Sequence, residues 1–193
     1  MEINWSEPWV IGGVVVIVLF YAQYVRLITV RNKVRESAAD IDAQVKQRDD
    51  LIANMLQMAA KFMEHEKSLM TELTELRTKA MSSTFVGAPK EKMELESLLN
   101  QKLNDFKVSL ENYPDLKSNQ TMIAAMQSMN EVEEHISAAR RFYNSNVNRL
   151  KNSVEIFPGN LVAKLVGVNY ADTPFFEISE TEKQPINSSN YFK

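Results

Sequence analysis

A membrane-anchored, all-α protein is what this sequence predicts, and three features predict it: an uncharged apolar run near the N-terminus, long stretches in which apolar residues recur every four and three positions, and a scarcity of turn formers. Only 5 glycines and 6 prolines occur in 193 residues, which leaves little turn chemistry for sheets, whereas Ala, Leu, Glu, Lys and Met favour helix. The expected fold is a single N-terminal transmembrane helix followed by an antiparallel up-and-down helical bundle of long, coiled-coil-like helices.

The anchor comes first. Pro8 to Val25 reads PWVIGGVVVIVLFYAQYV without a charge, and about 18 residues at about 1.5 Å each nearly cross a hydrocarbon core of about 30 Å. Trp5 and Trp9 at one end, Tyr21 and Tyr24 at the other, place amphipathic rings at both interfaces. A buried core helix would rarely be apolar all round. A cleaved signal peptide needs a basic leading region, yet Glu2 and Glu7 precede the run and no small-residue cleavage pattern follows. Arg26, Arg31, Lys33 and Arg35 follow the span, so the positive-inside rule puts the C-terminal side in the cytoplasm and the short N-terminus outside. These four are also the expected basic contacts to the membrane interface, although topology signalling alone accounts for them.

Beyond the anchor, Val34, Ala38, Ile41, Val45, Arg48, Ile52, Met55, Ala59, Phe62, Glu66, Leu69, Leu73, Leu76 and Ala80 hold a heptad rhythm uninterrupted by Gly or Pro. The pattern predicts one helix from the membrane to about Met81, with a bend near His65 left open, ended by the turn formers of Ser82 to Pro89. A second helix, about Lys90 to Asn112, carries Met93, Leu95 or Glu96, Leu99, Leu103, Phe106 and Leu110 on one stripe and stops before Tyr113-Pro114. A third, capped by Ser118 or Asn119, carries Met122, Met126, Met129, Glu133, Ile136, Arg140, Tyr143, Val147, Leu150, Val154 and Phe157. Phe157-Pro158-Gly159 closes it, and Leu161 to Val168 forms a last turn or two. Residues divide as 1–8 leading segment, 9–25 span, 26–168 bundle and 169–193 mostly disordered tail. A first helix this long would leave part of its seam uncovered by its own chain.

Chemistry is sparse. The net charge of −3 gives no basic field for nucleic acid, and the lack of cysteine removes disulfides, thiolate metal sites and cysteine nucleophiles. The residues three before His65 and His135 are Phe62 and Val132, so the di-iron Glu-x-x-His motif is missing twice. Glu131 and His135 lie four apart and read as a surface pair rather than half a metal site. Walker, Rossmann, nucleophile-elbow and zinc-protease patterns are absent, and Ser37, Ser68 and Ser137 stand without His-Asp company. No enzyme, cofactor or metal is expected. Arg48, Glu66, Glu133 and Arg140 interrupt the apolar seams, either as a buried ionic network that fixes register or as edge residues whose stems reach water. The methionine face from Met122 to Met129 reads as core filling or, less simply, as an adaptable binding surface.

The anchor followed by RNKVRESAADIDAQVKQRDDLI (Arg31–Ile52), HEK (His65–Lys67), ENYPDLKSN (Glu111–Asn119), HISAARRFYNSNVNRL (His135–Leu150) and FPGNLVAKLVG (Phe157–Gly167) resembles the LemA family of bacterial membrane proteins, from the anchor to about Phe176. The resemblance implies a cytoplasmic helical bundle on the bacterial inner membrane, no established enzymatic activity and, through a branch similar to magnetosome-membrane proteins, a part in organising membrane. The chain departs from the common pattern at Ala53-Asn54-Met55-Leu56, where a proline and a leucine-valine pair often stand. The expected partners are the lipid bilayer and further copies of the chain, as a self-associating scaffold. The alternative is an adaptor that recruits a membrane protease or signalling complex through the methionine face or the tail at Phe175-Phe176.

Overall fold

The structure, a computed structural model, describes residues 8–171 and 173–176. Helix α1 runs unbroken from Pro8 to Ala59 and contains the stretch that is long and apolar enough to cross a membrane, almost none of it buried against protein. The same helix continues upward as the first member of the bundle. There the four-three seam is fully used: Val34, Ala38, Ile41, Val45, Arg48, Ile52, Met55 and Ala59 are all buried.

The chain then reverses, and here the structure corrects the single long helix expected to Met81. Phe62 and Met63 both donate their N–H groups to the carbonyl of Ala59, a 3₁₀ turn covers Glu64–Glu66, and α2 runs back over Lys67–Ser82. No Gly or Pro forces this turn. A straight continuation would have left Leu73 and Ala80 in water; folding back buries both, and Met63, also buried, plugs the far end. Arg77 Nε donates to the Asp49 carbonyl across the α1/α2 contact at 2.7 Å.

The loop after Ser82 is held to α1 by the Asp42 carboxylate, which accepts the Phe85 N–H at 3.0 and 3.1 Å. Helix α3 (Pro89–Ser109), opened by proline in its first turn, rises again. Leu110–Asn112 forms a 3₁₀ turn and Pro114–Lys117 a single helical turn, α4, that buries Leu116. Asn119 caps α5 (Gln120–Glu155), its side chain accepting from the N–H groups of Thr121 and Met122, so the cap is Asn119 rather than Ser118. Helix α5 descends along α1: Asn146 Nδ2 reaches the Lys33 carbonyl at one end and Glu133 meets Arg48 further up. The bundle is therefore four helices, α1, α2, α3 and α5, alternating in direction, and α1 has no surplus seam to cover. No strand occurs among the described residues.

The apolar interior forms two clusters. One, near the candidate span, joins Leu27, Val34, Ile41, Tyr143, Val147 and Leu150 with Phe85 and with α6 (Gly159–Val166). The other, at the far end, joins Ile52, Met55, Met63, Leu73, Leu99, Phe106, Met122 and Met129.

Candidate functional site

Between the two apolar clusters lies a belt of charge. Arg48, wholly buried, sits on α1 where the heptad calls for an apolar residue. Its Nη2 donates to Glu96 of α3 and lies 3.6 Å from Asp49. Its Nη1 donates to Asn100 Oδ1 at 2.7 Å and lies 3.6 Å from Glu133 of α5. Lys92 adds a second cation, 3.1 Å from Glu96, and also donates to the Ala80 carbonyl at the end of α2. All four long helices thus meet at one point.

Of the four seam charges expected as a network, the structure brings Arg48 and Glu133 together. Glu66 lies half-buried in the reversal after α1, because the seam that would have carried it ends at Ala59. Arg140 lies over the Phe176 ring at 5.3 Å. Sequence reasoning passed over Asp49, Lys92 and Asn100, and left Glu96 open against Leu95. A charged residue that could occupy the α3 seam was the available signal.

Two cations, Arg48 and Lys92, face three carboxylates, Asp49, Glu96 and Glu133, so one acid is poorly compensated. Burial pushes Asp49 up to about 6, with Arg48 opposing and Glu96 adding to the rise. Burial acts to lower Arg48, but Glu96, Glu133 and Asp49 together hold it above its ordinary value. Asp42 is also raised by burial, against the hydrogen bond from Phe85. A folded-state pKa above the unfolded one means the native state binds more protons between the two values. Stability therefore falls as pH rises from 3.8 to about 6 through Asp49. Asp49→Asn is expected to abolish this fall, gaining on the order of 2–3 kcal/mol over the native chain above that window. Melting temperatures of both proteins between pH 4 and pH 8 check it; parallel curves would contradict it.

Arg48, Asp49, Lys92 and Glu96 are buried while Glu133 is 32% exposed at the rim of the belt, and among the described residues no group of three or more His, Cys, Asp or Glu side chains is placed to hold a metal. His65, Glu131 and His135 are all exposed. Met122 and Met129 are buried and Met126 half-buried, so this face fills the core. Of the tail features, Phe176 is docked: Asn144 holds its backbone through two 2.9 Å hydrogen bonds, and its ring packs on Phe85 and edge-on to Tyr143. Residues 177–193 lie outside the described residues.

The end of the bundle next to the candidate span carries the basic residues. Arg26 lines a recess of about 240 Å³ with Arg149, Asn152 and Phe157. Arg31 and Arg35, one turn apart, line another of about 250 Å³ with Phe85 and Tyr143. Lys33 is exposed.

The sequence profile of the LemA family matches residues 37–188, well over half of the chain. The chain belongs to the LemA family. A relative, Protein LemA of Metamycoplasma hominis, is 23% identical over 175 residues, covering 89% of this chain and 78% of its own length. The LemA profile takes in every helix of the bundle except the first part of α1, and family and candidate span together fit a membrane-anchored protein. Neither match names a catalytic activity.

Proposed function

We propose that this LemA-family chain is a non-enzymatic structural protein that holds a closed helical bundle at the cytoplasmic face of the bacterial inner membrane and self-associates there as a scaffold. The observation that carries the reading is the continuity of α1: 52 residues in one helix, about 78 Å long, join span and bundle without a linker. A domain that has to swing toward a substrate or partner needs a hinge at that junction. A domain that fixes the height and tilt of a platform needs the rigid helix found here.

Orientation follows the basic residues after the span, Arg26, Arg31, Lys33 and Arg35. Because α1 is clothed by its own chain, self-association draws on confinement instead of an uncovered seam. Copies anchored in one bilayer meet at high effective concentration, and weak contacts between closed bundles suffice to array them. The adaptor reading has less to use, with Met122, Met129 and Phe176 engaged inside the fold. Single-molecule photobleaching of the full chain at native abundance in its own membrane tests the scaffold. Multi-step bleaching at discrete foci is expected; single steps throughout, with crosslinks only to other proteins, would replace the scaffold by an adaptor.

A further inference from the structure

Helix α6 is short and two-sided. Val162 and Ala163 are buried in the bundle, while Leu161 and Leu165 are 53% and 75% exposed and the preceding Phe157 is 73% exposed. These exposed residues turn toward the candidate span. With Val16, Leu19 and Phe20 of α1 they line an apolar notch of about 580 Å³.

Depth along α1 decides what fills it. Val16 to Phe20 lie between about 9 and 15 Å below Arg26 along the helix axis. If the bilayer stopped short of α6, only Pro8 to Val15 would remain to cross it, about 12 Å of helix against about 30 Å of hydrocarbon. A membrane that accommodates the span therefore also surrounds the outer face of α6. Directly above the notch, and sharing Gln23, Phe157 and Pro158 with it, is the recess lined by Arg26 and Arg149, whose lining includes no acidic side chain.

Resting on the membrane-anchored reading, we propose that α6 is a second membrane-embedded element and that the notch and recess form one phospholipid site. An acyl chain lies between α6 and the span, and the phosphate of the headgroup meets Arg26 and Arg149. Two features favour this occupant: the notch is continuous with the lipid-facing surface of the span, and two arginines, Arg26 and Arg149, line the one recess at the level where headgroups stand. Lys164, the one charged residue lining the notch and exposed on α6, has the stem length to carry its ammonium to the same level.

The absence of cysteine makes the test direct. Single spin labels are placed at Ile17→Cys, Leu165→Cys and Val108→Cys in the full chain, reconstituted in phosphatidylcholine/phosphatidylglycerol nanodiscs. Power saturation then compares oxygen with a water-soluble nickel chelate. Leu165 is expected to match Ile17, open to oxygen and closed to nickel, while Val108 on α3 is open to nickel. Nickel access at Leu165 with Ile17 protected overturns the inference and leaves the anchor standing; nickel access at both removes the anchor itself. For the headgroup, native mass spectrometry should find phosphatidylglycerol retained by the native chain and by Arg141→Gln, and retention several-fold lower in Arg26→Gln/Arg149→Gln. Equal retention in all three overturns the phosphate contact. So would displacement of the bound lipid by inorganic phosphate alone, which would assign the recess to free anion.

Discussion

Replacing Arg48 by alanine is expected to lower the melting temperature of the full chain by about 10 °C, because breaking one side of a buried ion pair costs about 3–5 kcal/mol and each kcal/mol moves a domain of this size by about 2–4 °C. The cost does not lie in the lost attraction alone. Glu96, 1% exposed, would keep only Lys92, and Asp49, already raised by burial, would lose the largest of the positive charges that oppose that rise. The paired change Arg48→Met/Glu96→Leu removes both main charges and fills the same space, so it is expected to recover most of the loss or to exceed the native chain in stability. Recovery would identify the belt as a device that sets how α1, α2, α3 and α5 meet rather than a source of stability. A double variant as unstable as Arg48→Ala would mean that the belt itself holds the fold.

The second large effect is expected at Gly159, the first residue of α6. A Cβ built there falls 2.3 Å from the backbone oxygen of Ser153 in α5, far inside contact distance. The obstacle is main chain, which cannot swing aside as a side chain would. Gly159→Ala should therefore cost about 3 kcal/mol, the upper end of the usual overpacking range, or drive α6 off the end of α5. Thermal melts distinguish a strained bundle from a detached α6, since detachment leaves the far cluster intact and exposes Val162 and Ala163 instead. A melt within 1 °C of the native chain together with unchanged Leu165 accessibility would contradict the close packing.

Much of this fold was legible in the residues. The heptad from Val34 to Ala59 names buried positions without a miss; on the α5 seam Met122, Met129, Ile136, Tyr143, Val147 and Leu150 are buried, Met126, Glu133, Arg140 and Val154 only half-buried, and Phe157, beyond the helix end, is exposed. The reversal at Ala60–Met63 was not legible. Periodicity detects a break when Gly or Pro marks it or when the phase changes; this turn uses Ala, Lys and Phe, and α2 resumes apolar positions at a compatible spacing. Only burial against α3 tells the two alternatives apart, and that is a tertiary fact.

The same limit explains the charge belt. Arg48 and Glu133 were visible because each interrupts an apolar seam on a helix that does run where the pattern puts it. Glu66 was placed on a seam that the chain leaves, and Arg140 lies against Phe176, a contact made by a segment 36 positions further along the sequence. Asp49 and Lys92 flank the seams and acquire partners only when α2 and α3 fold back onto α1. The membrane-facing side of α6 was hidden for another reason: Leu161 to Val168 reads as apolar, but its position beside Val16 to Phe20 depends on how α5 ends.

A pulsed dipolar distance between spin labels at Ile17→Cys and Gln47→Cys in nanodiscs tests the rigid union of span and bundle most directly. Both sites are exposed on α1, and about 30 residues of unbroken helix separate them by about 45 Å. A single narrow distribution near that value is expected. A broad or distinctly shorter distribution would place a hinge between bilayer and bundle, and a platform of fixed height and tilt could not then be the protein's role.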